Sequence, residues 1–433
     1  MYSVVPKVVN KSVLSVMGKA HTALKWRLII MNFLQFAVWG AWLISLGAYL
    51  GGTLHFTGFQ IGSFFATMGI ASIFMPTLMG IVADKWIPAE RLIALCHLFA
   101  GVLMVYAAQR VDYIGLYTFI LLSVCFYMPT LGLTNSVAYS KLGEAQLDAV
   151  KHFPPIRVFG TIGFIVAMLI VDWTGAKLTH IQLYISAALS FVLALYMLSF
   201  KPTPIVRANN VSHKGFVAKL GLEAFKLFKE RRMAVFFVFS MLLGISLQIT
   251  NGFANDYLVN HFGKMAEYAD SFGVKYSSTL ISLSQISETL CILLIPFFLK
   301  RFGIKVVMLI SLFAWVLRFG FLGLGNPGSG VLFLILSMVV YGVAFDFFNI
   351  SGSLYVDQNT DVSIRSSAQG VFLMMTNGFG SFIGSYVAGW VVDRYGYPDS
   401  WFIFASYSLV ITIAFYFLFH DKPKVKSGYG QYA

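Results

Sequence analysis

The 433-residue chain has few charged residues. Only 11% of its residues are Asp, Glu, Lys or Arg, while 58% are hydrophobic and the mean hydropathy is +0.77. A soluble globular protein has roughly a quarter of its residues charged. This scarcity excludes a soluble enzyme and a disordered binding protein, and it predicts a polytopic helical membrane protein.

Cysteine is also rare. Cys96, Cys125 and Cys291 lie inside apolar runs without CxxC spacing, so the sequence predicts neither a disulfide framework nor a metal site. We expect all three to be small buried packing residues. His97 is the one histidine inside an apolar run, and we expect it to be a hydrogen-bonded packing residue rather than a proton relay.

The N-terminus lacks a signal-peptide pattern. Lysines interrupt every short apolar stretch before residue 26, whereas a signal peptide needs an unbroken apolar region and a small-residue cleavage site. We expect residues 1–27 to form a cytoplasmic tail, with Met1 and Met17 both candidate starts.

Twelve apolar runs are long enough to cross ~30 Å of hydrocarbon, which takes roughly 20 residues. The fifth is short unless its helix begins near Pro155, which suits a first helical turn. The sequence therefore predicts an all-α integral membrane protein with two six-helix bundles, 28–200 and 234–419, a basic connection at 201–233 and a cytoplasmic tail at 420–433. The runs are 28–50, 59–82, 92–109, 114–139, 158–172, 181–200, 234–255, 277–298, 306–324, 331–354, 368–391 and 401–419.

The net charge of +13 is unevenly distributed. With a cytoplasmic N-terminus, the cytoplasmic segments hold 25 Lys and Arg, the external loops hold five, and Arg318 lies within a span. This asymmetry predicts that both termini are cytoplasmic, and it explains the positive charge without nucleic-acid binding. The basic connection interleaves Lys and Arg with Phe and Leu, so it is either an amphipathic helix on the inner leaflet or a solvated linker.

The two halves resemble each other. Tyr127 and Asn135 recur as Tyr341 and Asn349, a shift of 214, and the Asp172 segment recurs at Asp393, a shift of 221. Asp-Lys after the second run falls near Lys-Arg after the eighth, a shift of 216. Together these shifts indicate a duplicated six-helix unit, the architecture of transporters that rock two halves around a central site.

Polar residues within the runs mark a candidate site. Of 18 acidic residues, only Glu288 and Asp346 are predicted deep in the membrane, where a carboxylate usually lines a cavity or an ion path. The other candidates share helix faces at spacings of three, four or seven residues. They are Arg157, Thr161 and Phe164; Gln248 and Asn251; Gln285 with Glu288; and Tyr341, Phe345, Phe348 and Asn349.

Asp346 does not join the last of these faces. It lies about 140° around an ideal helix from Tyr341, so either the helix is irregular near Gly342 or Asp346 faces a different neighbour. Helix–helix hydrogen bonding is the alternative role of the amides. A salt bridge with Arg318 is the alternative role of the acids.

The chemistry of these side chains suits transport of a small polar solute. Amides, an arginine and carboxylates can bind an uncharged polyhydroxylated molecule while aromatic faces stack on a flat ring. Burial favours the protonated form of a carboxyl group, so Glu288 or Asp346 could take up a proton outside and release it inside. An intramembrane enzyme would need a nucleophile with a base or clustered metal ligands, which the runs lack, so neither enzymatic activity nor a cofactor is expected.

Seven stretches of the chain resemble a known family. The loop from Gly80 to Lys85 partly resembles the signature of the major facilitator superfamily, while its sugar-porter motif Pro-Glu-Ser-Pro-Arg is absent. The more specific likeness is to the nucleoside:proton symporter family within that superfamily. It rests on Met75–Trp86, Tyr127–Leu133, Phe153–Phe164, Gln248–Asn251, Ser284–Leu290, Phe345–Ser353 and Ser367–Phe379.

The resemblance implies a major-facilitator-type fold and proton-coupled nucleoside import by alternating access. It further implies a monomer among the lipids of a bacterial cytoplasmic membrane, with proton coupling at Glu288 or Asp346. A transporter of another small polar solute, such as a sugar, is the alternative, and an intramembrane enzyme or a nutrient sensor is a weaker one. The positions that match the family's nucleoside cavity are Arg157, Thr161, Phe164, Gln248, Asn251, Gln285, Glu288, Tyr341, Phe345, Asp346 and Asn349.

Overall fold

A computed structural model describes residues 11–203, 222–360 and 365–420, and these residues are almost entirely helical with no strand. Most of the basic connection lies outside the described residues, as do the two chain ends. The predicted inner-leaflet helix therefore stays a prediction.

The described residues form thirteen α-helices. In chain order they are α1 Lys11–Gly40, α2 Leu46–Gly52, α3 Gly58–Lys85, α4 Ala89–Ala108, α5 Tyr113–Glu144, α6 Ala149–Trp173, α7 Ile181–Leu198, α8 Arg231–Asp256, α9 Phe272–Lys275, α10 Ser277–Leu324, α11 Val331–Asn359, α12 Arg365–Leu373 and α13 Ser381–Leu418. The 3₁₀ segments are Ala176–Leu178, Leu222–Lys229 and Phe262–Lys264, and the π-helical segments are Tyr257–His261 and Met374–Gly380.

Nine helical stretches within the described residues are long and apolar enough to cross a membrane. Two of them break sharply at a glycine with positive φ, Gly303 in α10 (77°) and Gly396 in α13 (74°). Only glycine adopts such a conformation at little cost, so each of these stretches supplies two of the predicted spans. The first predicted span corresponds to α1 and α2, and the predicted all-α membrane fold is confirmed.

Two helices begin earlier than the sequence predicts. α1 already includes Lys11, the first described residue, and no proline interrupts the helix before the first apolar run. α6 starts at Ala149 rather than near Pro155. Asp148 is a favoured N-cap residue type, and its carbonyl accepts the helical hydrogen bond of the His152 N–H at 3.0 Å.

The chain divides into two compact units. The first holds the described residues up to Leu46 and those from Phe74 to the basic connection. The second holds Gly47–Ile73 together with the described residues after the connection. The beginning of α3 therefore packs with the second half of the sequence.

In the first unit, α1 and α6 approach until their backbones touch. A methyl group added at Gly40 would lie 2.2 Å from the Phe164 carbonyl oxygen, and one added at Gly163 would lie 2.1 Å from the Phe33 carbonyl oxygen. Small residues allow membrane helices to come this close. The contact fixes the register of the two helices relative to each other.

In the second unit, glycines in α3 make a similar contact. A methyl group added at Gly58, Gly62 or Gly69 would lie 2.8, 2.2 or 2.6 Å from a backbone oxygen of residue 389, 385 or 378, respectively. Asp393 also caps α3, since its carboxylate accepts the Gly58 N–H at 2.6 Å and the Phe59 N–H at 2.8 Å. The start of α3 is thus held by both backbone packing and a capping charge.

Candidate functional site

The first unit places three predicted site residues along one face of α6. The guanidinium carbon of Arg157 lies 3.9 Å from the centre of the Phe36 ring. Phe164 is 7% exposed and meets the Trp39 ring edge-on at 6.3 Å. Thr161, between them, is half-buried. Both ring partners, Phe36 and Trp39, belong to α1.

A buried polar network lies beside these aromatic rings. The Gln35 amide donates to the Thr130 hydroxyl at 2.8 Å, and the Gln35 carbonyl accepts the Tyr127 hydroxyl at 2.9 Å. His97 Nε2 lies 3.0 Å from Gln35 Oε1, and its Nδ1 lies 3.3 Å from the Ser190 hydroxyl. Both ring nitrogens of the buried His97 therefore have polar partners, as a hydrogen-bonded packing residue requires.

In the second unit, α8 and α10 carry the predicted amides. Gln248 is 5% exposed and donates from Nε2 to the Ser381 hydroxyl at 3.0 Å. Asn251, three residues further along α8, is half-buried. Gln285 and Glu288 are both half-buried on α10. Partial exposure leaves Asn251, Gln285 and Glu288 able to meet a solute, whereas Gln248 is buried.

On α11 the structure separates two kinds of aromatic residue. Tyr341 and Phe345 stack with ring centres 6.1 Å apart and planes inclined by 15°, and Phe345 and Asn349 are half-buried. Phe348 is fully buried and packs on the rings of other helices. Phe348 therefore belongs to the packed interior of the unit.

Asp346 and Glu288 occupy different environments. α11 is regular from Val331 to Asn359, so irregularity near Gly342 does not account for the orientation of Asp346, which is 3% exposed. Glu288 is more exposed than Asp346. Asp346 lies on α11, and Glu288 lies on α10 at the point where the two helices touch, since a methyl group at Gly342 would lie 2.7 Å from the Glu288 backbone nitrogen.

Arg318 connects three helical segments of the second unit. Its Nη1 donates to the Ser337 carbonyl at 2.7 Å, and its Nε lies 3.5 Å from the Thr250 hydroxyl. Its guanidinium carbon lies 4.4 Å from the centre of the Tyr341 ring. Arg318 is only 2% exposed, so it is a buried side chain that packs against the ring of the predicted site residue Tyr341.

One polar cluster, around Asp256, is not predicted from the sequence. Asp256 accepts hydrogen bonds from the Tyr397 hydroxyl and the Asn260 amide, and the Asn260 amide also donates to the Ala48 carbonyl at 2.9 Å. These residues border a cavity of about 420 Å³ that Asp393 also lines. Asp256 directly follows the predicted span 234–255, and sequence position alone does not reveal its burial.

The π-helical segment Met374–Gly380 is also absent from the sequence interpretation. It coincides with the Met-Met-Thr-Asn-Gly-Phe motif that carries part of the family resemblance, and π-helical turns are frequent at functional sites. Among the described residues, His, Cys, Asp and Glu form no cluster that could hold a metal ion.

Comparison with known proteins gives consistent matches. A model of the family described as nucleoside H+ symporter matches residues 22–424. The chain is 50% identical over 410 residues to the xanthosine permease of Escherichia coli (strain K12), which covers 92% of this chain and 97% of the permease. It is also 50% identical over 406 residues to the nucleoside permease NupG of the same organism, covering 92% and 96%.

Solved structures agree with these matches. The crystal structure of nucleoside transporter NupG has a TM-score of 0.86 and 50% identity, and the match covers 92% of this chain and 100% of that chain. A bacterial homologue of the lysosomal transporter Spinster, at 14% identity and a TM-score of 0.65, shows the fold alone. On this evidence the chain belongs to the nucleoside H+ symporter family.

Proposed function

We propose that this protein imports nucleosides together with protons by alternating access. The observation that carries the proposal is the family match over residues 22–424, which agrees with the permeases at 50% identity. These relatives are transporters rather than enzymes. The duplicated sequence pattern supports a mechanism in which two related halves move around one site.

The proposed nucleoside-binding residues supply complementary chemistry. Amide groups and the Arg157 guanidinium can hydrogen-bond ribose hydroxyls and the polar edge of a base. The stacked pair of Tyr341 and Phe345 offers an aromatic face to a base. The proposed set is Arg157, Thr161, Phe164, Gln248, Asn251, Gln285, Glu288, Tyr341, Phe345 and Asn349.

We assign proton coupling to the second unit. Glu288 and Asp346 both lie in the second unit, on helices that touch at Gly342, while Gly132 stands at the position of the first half that mirrors Asp346. A membrane-embedded acid is costly unless it has a function. Glu288, which is more exposed than Asp346, is the acid assigned to direct substrate contact.

The family and the apolar helices indicate a multi-pass protein of the bacterial inner membrane. We further propose that both termini are cytoplasmic, because 25 Lys and Arg fall on that side and five on the other. Large apolar side chains such as Leu293 and Leu195, which are 73% and 69% exposed, would then contact lipid. A monomer is the proposed functional form.

Uptake into proteoliposomes tests the proposal. Vesicles containing the purified protein should accumulate radiolabelled uridine or adenosine when an inward proton gradient is imposed, and accumulation should stop when an ionophore collapses the gradient. Excess unlabelled nucleoside should compete, whereas sucrose should not. Uptake that is insensitive to the proton gradient would contradict proton coupling and indicate a passive facilitator. Competition by sucrose but not by nucleosides would indicate that the substrate is a sugar.

A further inference from the structure

We propose that Phe36 is a positioning residue that holds the Arg157 guanidinium in its nucleoside-binding orientation. The inference rests on the proposed function, in which Arg157 contacts the nucleoside. Its basis is the contact itself: the guanidinium carbon lies 3.9 Å from the centre of the Phe36 ring. At this distance the face of a phenyl ring attracts a guanidinium group.

Gly160 makes room for this pair. A methyl group at Gly160 would lie 2.6 Å from Phe36 Cδ2 and 2.8 Å from Arg157 Nη1. Any side chain at this position would therefore press on both members of the pair. The space left by the missing side chain is occupied by the ring and the guanidinium together.

The backbone contact between α1 and α6 fixes the ring in place. Gly163 lies against the carbonyl of Phe33, and Gly40 lies against the carbonyl of Phe164. On α1, Phe36 lies between the two contact residues Phe33 and Gly40. On α6, Gly160 lies about one turn before Gly163 and Phe164. Because the two helices touch on this face, the fold sets the position of the Phe36 ring relative to the Arg157 side chain.

Stacking on Phe36 sets the orientation of the Arg157 guanidinium plane. A guanidinium stacked on a ring keeps its N–H groups pointing outward in its own plane, where they can bind acceptors. Stacking also reduces the number of rotamers that a long side chain must lose when a ligand binds. An uncharged nucleoside gains little from the net charge of Arg157, so its affinity depends mainly on the direction of these N–H groups.

Uridine uptake kinetics of matched variants test this role. Phe36→Leu removes the aromatic face, and we expect the KM for uridine to rise about 2- to 30-fold, the range that corresponds to cation–π contacts. Phe36→Tyr keeps an aromatic face and should restore a near-wild-type KM. Phe33→Leu changes the neighbouring phenylalanine of the same helix and should leave KM unchanged.

A double-mutant cycle makes the test specific. If Phe36 acts through Arg157, Phe36→Leu should add little to the defect of Arg157→Ala. Independent, additive losses would overturn the inference, and so would equal behaviour of Phe36→Leu and Phe36→Tyr. Gly160→Ala, which presses on the same pair, should raise KM in the same direction.

The outcomes separate this inference from the proposed function. Unimpaired uridine uptake by Arg157→Ala would remove Arg157 from the site and the inference with it. Impaired uptake by Arg157→Ala with wild-type kinetics for Phe36→Leu would refute only the role of Phe36. Gel filtration and thermal unfolding of each detergent-solubilised variant identify any that fail to fold. If Phe36→Leu is one of them, Phe36→Met replaces it as the non-aromatic variant.

Discussion

The two carboxyl groups predicted deep in the membrane, those of Glu288 and Asp346, differ in exposure. Asp346 is almost fully buried, while Glu288 is half-buried. A carboxyl group that reaches the substrate can bind both a proton and a hydroxyl group, whereas a deeply buried one can act only through its neighbours. We therefore expect Glu288 to influence substrate affinity as well as coupling.

Substitution of each acid tests this difference. Glu288→Gln should abolish gradient-driven uridine accumulation and also raise KM, because the amide cannot take up a proton and hydrogen-bonds the substrate differently. Asp346→Asn should abolish accumulation with a smaller change in KM. Gradient-driven uptake and equilibrium binding of uridine to the purified variants measure the two effects. Wild-type accumulation by both variants would contradict the proposed role of these acids in proton coupling. Asp357→Asn, on the same helix as Asp346, serves as a matched control.

Residue types and spacing indicate part of this site, and tertiary contacts supply the rest. Glu288 and Asp346 stand out in the sequence because a membrane acid is rare. Phe36 does not, since it is one of 42 phenylalanines and its partner lies far away in the sequence. The burial of Phe348 likewise cannot be predicted from the sequence, because Phe345 and Phe348 both fit the spacing of the same helix face.

At the scale of helices, the close approach of α10 and α11 positions Glu288. A methyl group at Gly342 would lie 2.5 Å from the Ser287 carbonyl oxygen and 2.7 Å from the Glu288 N–H nitrogen. The Ser287 hydroxyl also donates to the Val339 carbonyl. The backbone that carries Glu288 is therefore set by direct contact with α11.

Gly342→Ala should disturb this crossing. Forcing a methyl group into a packed contact typically costs about 1–3 kcal/mol, so we expect a lower unfolding temperature and weaker uridine binding. Gly320→Ala is the matched control, because a methyl group there meets no atom within 4 Å. Thermal unfolding and uridine binding of both detergent-solubilised variants provide the comparison. Equal behaviour of the two variants would contradict a positioning role for the crossing.

Apolar run length predicts the helices well but not their irregularities. Runs of about 20 apolar residues fix the number of spans, and Gly303 and Gly396 lie between runs that the sequence already separates. The π-helical segment at Met374–Gly380 cannot be read from periodicity, because a single wide turn shifts the hydrophobic pattern by only one residue. α6 shows that a helix can start before its apolar run begins, here directly after Asp148, a residue type favoured at helix N-termini.

At the scale of the whole molecule, orientation in the membrane follows from charge. Fusions to the full chain test it, since green fluorescent protein fluoresces in the bacterial cytoplasm and alkaline phosphatase is active only outside it. A fluorescent protein fused after Ala433 should fluoresce, and a phosphatase at that position should be inactive. A phosphatase inserted into the full chain after Arg110, in a predicted external loop, should be active. The reverse pattern would invert the proposed topology.

The contact between α3 and the second half of the chain has a consequence for how such a protein moves. Gly58, Gly62 and Gly69 bring backbone against backbone. Side chains also meet across this contact, since the Phe59 and Tyr386 rings lie 5.1 Å apart and the Asp393 carboxylate accepts two N–H groups of α3. The free energy of apolar burial is about 25 cal/mol per Å², and glycine contributes little of that area. Separating the three glycine positions would therefore expose little apolar surface, whereas separating α3 from Asp393 would break two charge-assisted hydrogen bonds. Under the proposed alternating-access cycle, movement of the α3 start is thus opposed more by this cap than by the loss of apolar burial at the glycines.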